Sequence, residues 1–471
     1  MTGLKPIAMA ESSPTRRAWL ELLILAGAAL VPLSVSWTIS GIHVTTTQMF
    51  FSAAVGLWAV CVLRHRRWAD WTPGPGLRWL EWAMLAFLLA CAVSGLAAVS
   101  KKLWAKELIQ IGHAMAIYLF VRSVAGQGVR LKTYIAMLLS VAALAGAVGV
   151  AQYFSGQAWT DDPRFMIIWG RVRSHLTLGS PNNFAAYLAG AVPLALAAAE
   201  QSKHRWLCLA GAGAVTAGLI CTCSRSGWIG AFVGLAVVLL LRHRRLLVPV
   251  AILLAILVAQ VAAFSYDIGR CGTDSGLSVA GPDANSRSGR CGTDSGLSVA
   301  GPDAKSRSVN PVMLRSTDSF RVDLLRLGLA MVQSHPLLGV GLGNAGLVMP
   351  EYFQKAHVSS QFTLDYANKN VEMTLHCVPL QVLAELGLLS VTGLALAIGF
   401  VVTVTRAYRR GDDGDRPLVA GLIGACVAIL VATSLNWLFT RGVAETFFLL
   451  LGLVSAQVFR HQAFDRGTSK P

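Results

Sequence analysis

Charge is what this chain has least of. Only 14% of its 471 residues are Asp, Glu, Lys or Arg while 54% are hydrophobic, a balance that excludes a soluble globular protein. The centres of its apolar runs are nearly free of ionisable groups. That argues against a transporter, which keeps such groups near the bilayer midplane. No glycine loop followed by Lys and Ser or Thr is present, so a nucleotide phosphate cradle of that kind is not expected. A small-residue cleavage pattern is not clearly set behind the first apolar run, so no cleavable leader is expected. Most cysteines sit inside apolar runs (Cys61, Cys91, Cys208, Cys426), where they read as small core residues. Only Cys271, Cys291 and Cys377 are expected to face an oxidising side.

What the chain does have is length of apolar run. About twelve runs are long enough to cross a hydrocarbon core of roughly 30 Å. They lie near 19–39, 47–63, 80–99, 104–122, 131–152, 182–199, 206–222, 227–241, 246–264, 378–404, 417–437 and 443–459. The reading is an all-α polytopic membrane protein. The net charge of +16 raises the question of nucleic acid, but the positions of the cations answer it. Lys5, Arg16 and Arg17; Arg64, Arg66 and Arg67; Arg122, Arg130 and Lys132; Lys203 and Arg205; Arg242, Arg244 and Arg245; Arg406, Arg409, Arg410 and Arg416; and Arg460, Arg466 and Lys470 fall in every second connection. This is the positive-inside pattern, and it places both termini in the cytoplasm. Membrane lipids, and no nucleic acid, are the expected surroundings.

With that orientation the outward connections are 153–181, the short turn at 222–226 and a long stretch over 265–377. The expected organisation is therefore helices over 1–264, an extramembrane loop domain over 265–377, and further helices with a tail over 378–471. Inside the loop, Gly269–Ser288 is followed at once by a copy, Gly289–Ser308, that differs only in Lys305 for Asn285. The unit has almost nothing apolar to bury and reads as a duplicated flexible insert, with a Cys271–Cys291 disulfide as an alternative. Past it, Thr317 or Asp318 is placed to cap an interfacial helix with Leu324, Leu325, Leu329 and Val332 on one face, ending before Pro336. Gly339, Gly341 and Gly343 then make a tight bend.

Cations on the outward side run against the orientation rule. They are Lys101, Lys102, Lys106, Arg164, Arg171, Arg173, Arg225, Arg321, Arg326 and Arg441. Snorkelling to lipid headgroups is the plain reading for Lys101, Lys102 and Arg441. Arg225 is different: it sits in a turn between Ser224 and Ser226, at the N-terminus of the next span, where hydroxyls, a guanidinium and a helix end together suit an anion. Several guanidinium forks meeting at a membrane surface suit a diphosphate. In Met373–Gly387, Pro379 marks a first helical turn, so His376 lies at the helix start, where the positive helix end favours a neutral imidazole that can act as a base. A capping or interfacial histidine is the alternative. Glu385, roughly 13 Å further along and on the other helix face, reads as a structural partner for a polar group rather than a second catalytic residue.

At these residues the sequence resembles the O-antigen ligase and polymerase family of bacterial membrane glycosyltransferases, and its ligase branch in particular. The resemblance covers roughly residues 165–405 and rests on Arg171–Leu188, Cys223–Gly230, Phe320–Asn344 and Leu375–Gly387. It implies a GT-C-type fold of about 12 transmembrane helices with a long periplasmic loop domain. It also implies an inner-membrane enzyme with a periplasmic site and no cofactor. The donor would be O-antigen linked to undecaprenyl diphosphate and the acceptor a hydroxyl of lipid A core oligosaccharide, with inversion. His376 would be the base; Arg225 and Arg321, aided by Arg171 or Arg173, would bind the diphosphate; Ser224, Ser226 and Glu385 would support. The family commonly has Asn after the histidine, where this chain has Cys377. An O-antigen polymerase, a protein O-oligosaccharyltransferase or a lipid-linked glycan flippase are the rival readings. Asp412, Asp413 and Asp415 fall on the cytoplasmic side and Asp161 and Asp162 in a solvated loop, so a metal-independent reaction is expected.

Overall fold

The computed structural model describes residues 14–39, 42–64, 78–126, 131–157, 167–168, 171–243, 312–358, 373–411, 413–434, 437–440 and 442–468. The chain is a bundle of helices. In order they are α1 (Pro14–Leu30), α2 (Thr46–Arg64), α3 (Arg78–Val93), α4 (Lys101–Ala125), α5 (Leu131–Ser155), α6 (Pro181–Gln201), α7 (Arg205–Cys221), α8 (Arg225–Arg242), α9 (Val312–Ser334), α10 (Ala345–Val348), α11 (Val378–Leu386), α12 (Val391–Arg410), α13 (Arg416–Thr433) and α14 (Val443–Thr468). Two short antiparallel hairpins accompany them: β1 (Ser36–Ile39) with β2 (Ile42–Thr45), and β3 (Ile167–Ile168) with β4 (Arg171–Val172). Among the described residues, eight helices are long and apolar enough to cross a membrane, counting Val378–Arg410 as one, and three shorter apolar helices join them at Ala18–Leu33, Arg205–Cys221 and Val443–Val458. The protein is thus an all-α multi-pass membrane protein. The expected run at 246–264 and the duplicated insert at 269–308 lie outside the described residues.

Successive helices run up and down, and contacts between their ends make this concrete. At one end, Val378 N–H at the start of α11 donates to Ser434 O just past α13 (3.0 Å). There also Ser94 Oγ after α3 accepts from Leu342 N–H (3.2 Å). At the other end Glu81 pairs with Arg122, His243 Nε2 lies 2.9 Å from Glu200 Oε1, and Tyr408 donates to Leu241 O (2.5 Å). Helix α13 is the central post, wedged against α6 and α8. Its Gly424 faces Gly234 of α8 so closely that a Cβ on either would meet the other's carbonyl oxygen, at 2.7 and 2.5 Å respectively; small residues let membrane helices approach to backbone contact.

Two expectations need correction. The run at 378–404 is not one continuous span: it breaks at Gly387 (φ +56°) into α11, a turn of 3₁₀ helix and α12. The break exists because the bend at 335–344 lays its backbone into it. Val340 N–H donates to Ala384 O (2.9 Å), Gly341 N–H to Glu385 O (3.1 Å), and Leu388 N–H to Pro336 O (2.8 Å), so the groups freed by the break are bonded again. A Cβ on Gly339 would sit 2.3 Å from the Glu385 carbonyl carbon, and one on Gly341 would sit 2.5 Å from Ala98 Cα; both glycines also have positive φ.

The second correction concerns α9, which begins at Val312, ahead of Thr317 and Asp318, so neither is its cap. Its buried stripe is Phe320, Leu324, Leu327 and Met331, while Leu325 (42% exposed) and Leu329 (52%) point outward. Gly328 explains the choice of face, since it sits against Leu380 and Leu375 and seats α9 on α11. This stripe, with Val340, Tyr352, Met373, Leu375 and Leu380, forms a second hydrophobic core separate from that of the bundle.

Candidate functional site

The turn between α7 and α8 is short because both of its ends are capped. Cys223 takes φ +49°, and Ser224 is then extended as N-cap of α8, its Oγ accepting from Gly227 N–H (3.5 Å). Ser224 Oγ also donates to Asn182 Oδ1 (2.9 Å) and lies 3.3 Å from Ser226 Oγ. Asn182 belongs to the first turn of α6, which begins with Ser180 as N-cap and Pro181. Two helix N-termini therefore meet at one amide, and both bring partial positive charge to the place.

Arg173 fills the space between them. Its Nε donates to Thr222 O (2.7 Å), and one terminal nitrogen donates to Asn182 Oδ1 and Cys223 O, both at 3.3 Å. The segment that delivers it is firmly tied: Ser174 N–H donates to Cys221 O (3.1 Å), and Gln152 Oε1 of α5 accepts from His175 and Leu176 N–H at 2.9 and 3.0 Å. Burial pulls the Arg173 guanidinium below its ordinary range to about 10; the neighbouring Cys223 works against this, and the like charges of Arg225 and Arg321 add to it. At about 10 it remains protonated at neutral pH. Those like charges come from the start of α8 and from α9. Arg225 and Arg321 are themselves exposed.

Next to Arg321, the Phe320 ring stacks on the His376 imidazole with centroids 6.1 Å apart and planes tilted by 60°. His376 is half-buried, has φ +49°, and lies two residues ahead of α11, whose N-cap is the extended Cys377. Of the predicted set, then, Ser224, Arg225 and Ser226 share one turn, Arg173 bonds to it from the segment before α6, and α9 brings Arg321 and Phe320 between this group and His376. Arg171 lies in β4 beside Ile168; its side chain is outside the described part.

Glu385 is fully buried and takes a hydrogen bond from Gln381 Nε2 on Oε1 (2.5 Å), while the backbone N–H groups of Gly343 and Ala345 face the carboxyl. It joins α11 to the glycine bend. Other outward cations have plainer partners: Lys101 Nζ donates to Gly95 O, and Arg326 lies 3.9 Å from Asp323. Asp413 pairs with Arg416 at 2.5 Å at the opposite end of the bundle. Among the described residues, no three His, Cys, Asp or Glu side chains converge as a metal site would require. Asn182 was missed by sequence reasoning; the Ser-Pro-Asn-Asn start of α6 is a readable helix cap, but nothing local says that it faces the Arg225 turn.

The fold and the cluster define a class: a multi-pass helical membrane protein with three guanidinium groups and an imidazole gathered at one end of its bundle. Residues 209–395, less than half of the chain, match the family model described as O-antigen ligase. Arg225, Arg321, His376 and Glu385 fall within the matched residues, and Arg173 lies outside them, ahead of α6. Among curated proteins, none matches this chain.

Proposed function

We propose that the protein is an O-antigen ligase of GT-C type in the bacterial inner membrane, with both termini cytoplasmic and its site facing the periplasm. It moves a preassembled glycan from undecaprenyl diphosphate to a hydroxyl of lipid A core oligosaccharide. The observation that carries this reading is Arg173 bonded across the paired N-termini of α6 and α8, with Arg225 opening α8 and Arg321 on α9 next to Phe320, whose ring meets His376. Three like charges held together are relieved by a polyvalent anion, and a diphosphate matches the forked donors.

In the reaction His376 accepts the proton of the acceptor hydroxyl. The hydroxyl oxygen forms its bond to the anomeric carbon from the face opposite the carrier. The bond from that carbon to the diphosphate oxygen breaks, and its electron pair leaves with the diphosphate, giving inversion. The guanidinium groups stabilise the charge that grows there. No nucleotide is consumed, because the donor brings its own activated bond, and the cations take the part a divalent metal would otherwise play.

The test is reconstitution of the purified protein in vesicles with carrier-linked glycan and core oligosaccharide. Glycan transfer that persists in chelator and is lost in His376→Ala, with folding intact, supports the reading. Transfer at the wild-type rate by His376→Ala, or activity restored only by a divalent ion, overturns it. A deletion strain separates the acceptors: complete but uncapped core with accumulating carrier-linked polymer marks a ligase, whereas growth of carrier-linked chains that stops marks a polymerase.

A further inference from the structure

The backbone on both flanks of His376 is held by groups that do not touch the cation cluster. On one flank Val378 N–H donates to Ser434 O (3.0 Å). On the other, Leu375 N–H donates to Gln381 Oε1 (2.7 Å), and Gln381 Nε2 donates to Glu385 Oε1 (2.5 Å). Gln381 N–H in turn donates to Cys377 O (2.8 Å), closing the first turn of α11 beneath the histidine. Gln381 is 4% exposed, Glu385 and Leu375 1% each, so none of these bonds can be replaced by bulk water.

We propose that Gln381 is a positioning residue that holds His376 in its left-handed conformation, with Glu385 fixing which way the amide faces. The inference rests on His376 as the base and names the device that sets it. A backbone N–H can only donate, so the amide must turn its oxygen to Leu375 and its NH₂ to Glu385; one orientation satisfies both. A histidine with φ +49° sits in a sparsely populated region and stays there only where its surroundings over-determine it. The Leu375 bond and the Val378 bond both do so. Without the former the buried Leu375 N–H loses its acceptor, the segment relaxes toward extended backbone, and the imidazole moves off the acceptor hydroxyl.

The experiment uses full-length protein in vesicles with carrier-linked glycan and core oligosaccharide. Gln381→Leu keeps the volume and removes both bonds. Its kcat falls by ~10- to 100-fold, the scale of a displacement near 1 Å, while KM for the donor stays within about threefold. Placed on His376→Ala, it causes no further loss, because the group it serves is gone. Glu385→Gln keeps an acceptor for the Gln381 amide and loses less than Glu385→Leu; these two variants carry the test if Gln381→Leu does not fold. Wild-type kcat in Gln381→Leu, or a loss that multiplies with that of His376→Ala, overturns the proposal. If His376→Ala itself retains full kcat, the base assignment fails instead. Hydrogen exchange at the Leu375 amide then decides the positioning claim, which stands if exchange quickens in Gln381→Leu and falls if it does not.

Discussion

Two helix starts divide the candidate site between them, and their backbones follow one plan. In each, a non-glycine residue with φ +49° precedes an extended N-cap and then the helix: Cys223, Ser224 and Arg225 at α8, and His376, Cys377 and Val378 at α11. They differ in what occupies each position. At α8 the strained residue offers its carbonyl to Arg173, the cap bonds its own helix, and the proposed ligand Arg225 is the first helical residue. At α11 the strained residue is the proposed base, and the Cys377 side chain caps nothing. The work of holding that turn passes to Gln381 and Ser434 instead. One plan thus yields a self-capped turn when the cap is a serine, and a histidine whose flanks are bonded to residues further along the chain when it is not.

The largest expected effect separates the two starts by kinetics. His376→Ala should lower kcat by ~10³-fold and leave donor binding nearly unchanged; weakened donor binding of similar size would dissolve the division. Arg225→Lys keeps the charge but removes the fork, and should cost ~10²-fold in kcat/KM, read in the same transfer assay. Stability then compares the caps. Ser224→Ala should cost about 1–2 kcal/mol and Cys377→Ala almost nothing, while Cys377→Asn, supplying the missing cap, should gain about 1 kcal/mol in denaturation of the reconstituted protein.

The smallest effect tests the foundation under Arg173. Burial lowers the pKa of His175 below 6.5, so between 6.5 and its folded value the unfolded chain binds the proton and the folded one does not. Stability should therefore fall on acidification below 6.5, by at most about 1.4 kcal/mol per pH unit. A melting series from pH 7.5 to 5 checks this against His175→Gln, in which the slope flattens.

Much of the architecture was legible because it is local. Apolar length and the alternation of basic connections are carried by each segment alone, and the Ser-Arg-Ser turn reads as a helix start without any neighbour. The break at Gly387 was not legible, since its cause is three backbone hydrogen bonds from residues 336, 340 and 341, and backbone pairing leaves little trace in side-chain pattern. The face of α9 was misread for a related reason: Leu325 and Leu329 fit a helical stripe as well as Leu327 and Met331 do, and only Gly328 meeting Leu380 selects between them. In the candidate site, Arg225, Arg321 and His376 stood out by position against charge bias or helix start. Asn182 and Gln381 did not, because a polar residue's partner forty or six residues away is set by the packing of whole helices.

The joint at Gly387 ties α9 and α11 together through backbone alone. Helix α9 carries Arg321 and packs Phe320 against His376, and the glycine bend that follows it is bonded to the last turn of the helix whose start bears the histidine. Because that connection is made of peptide groups, most side chains along it can be exchanged without uncoupling the two; adding a single methyl to Gly339 or Gly341 would cut it.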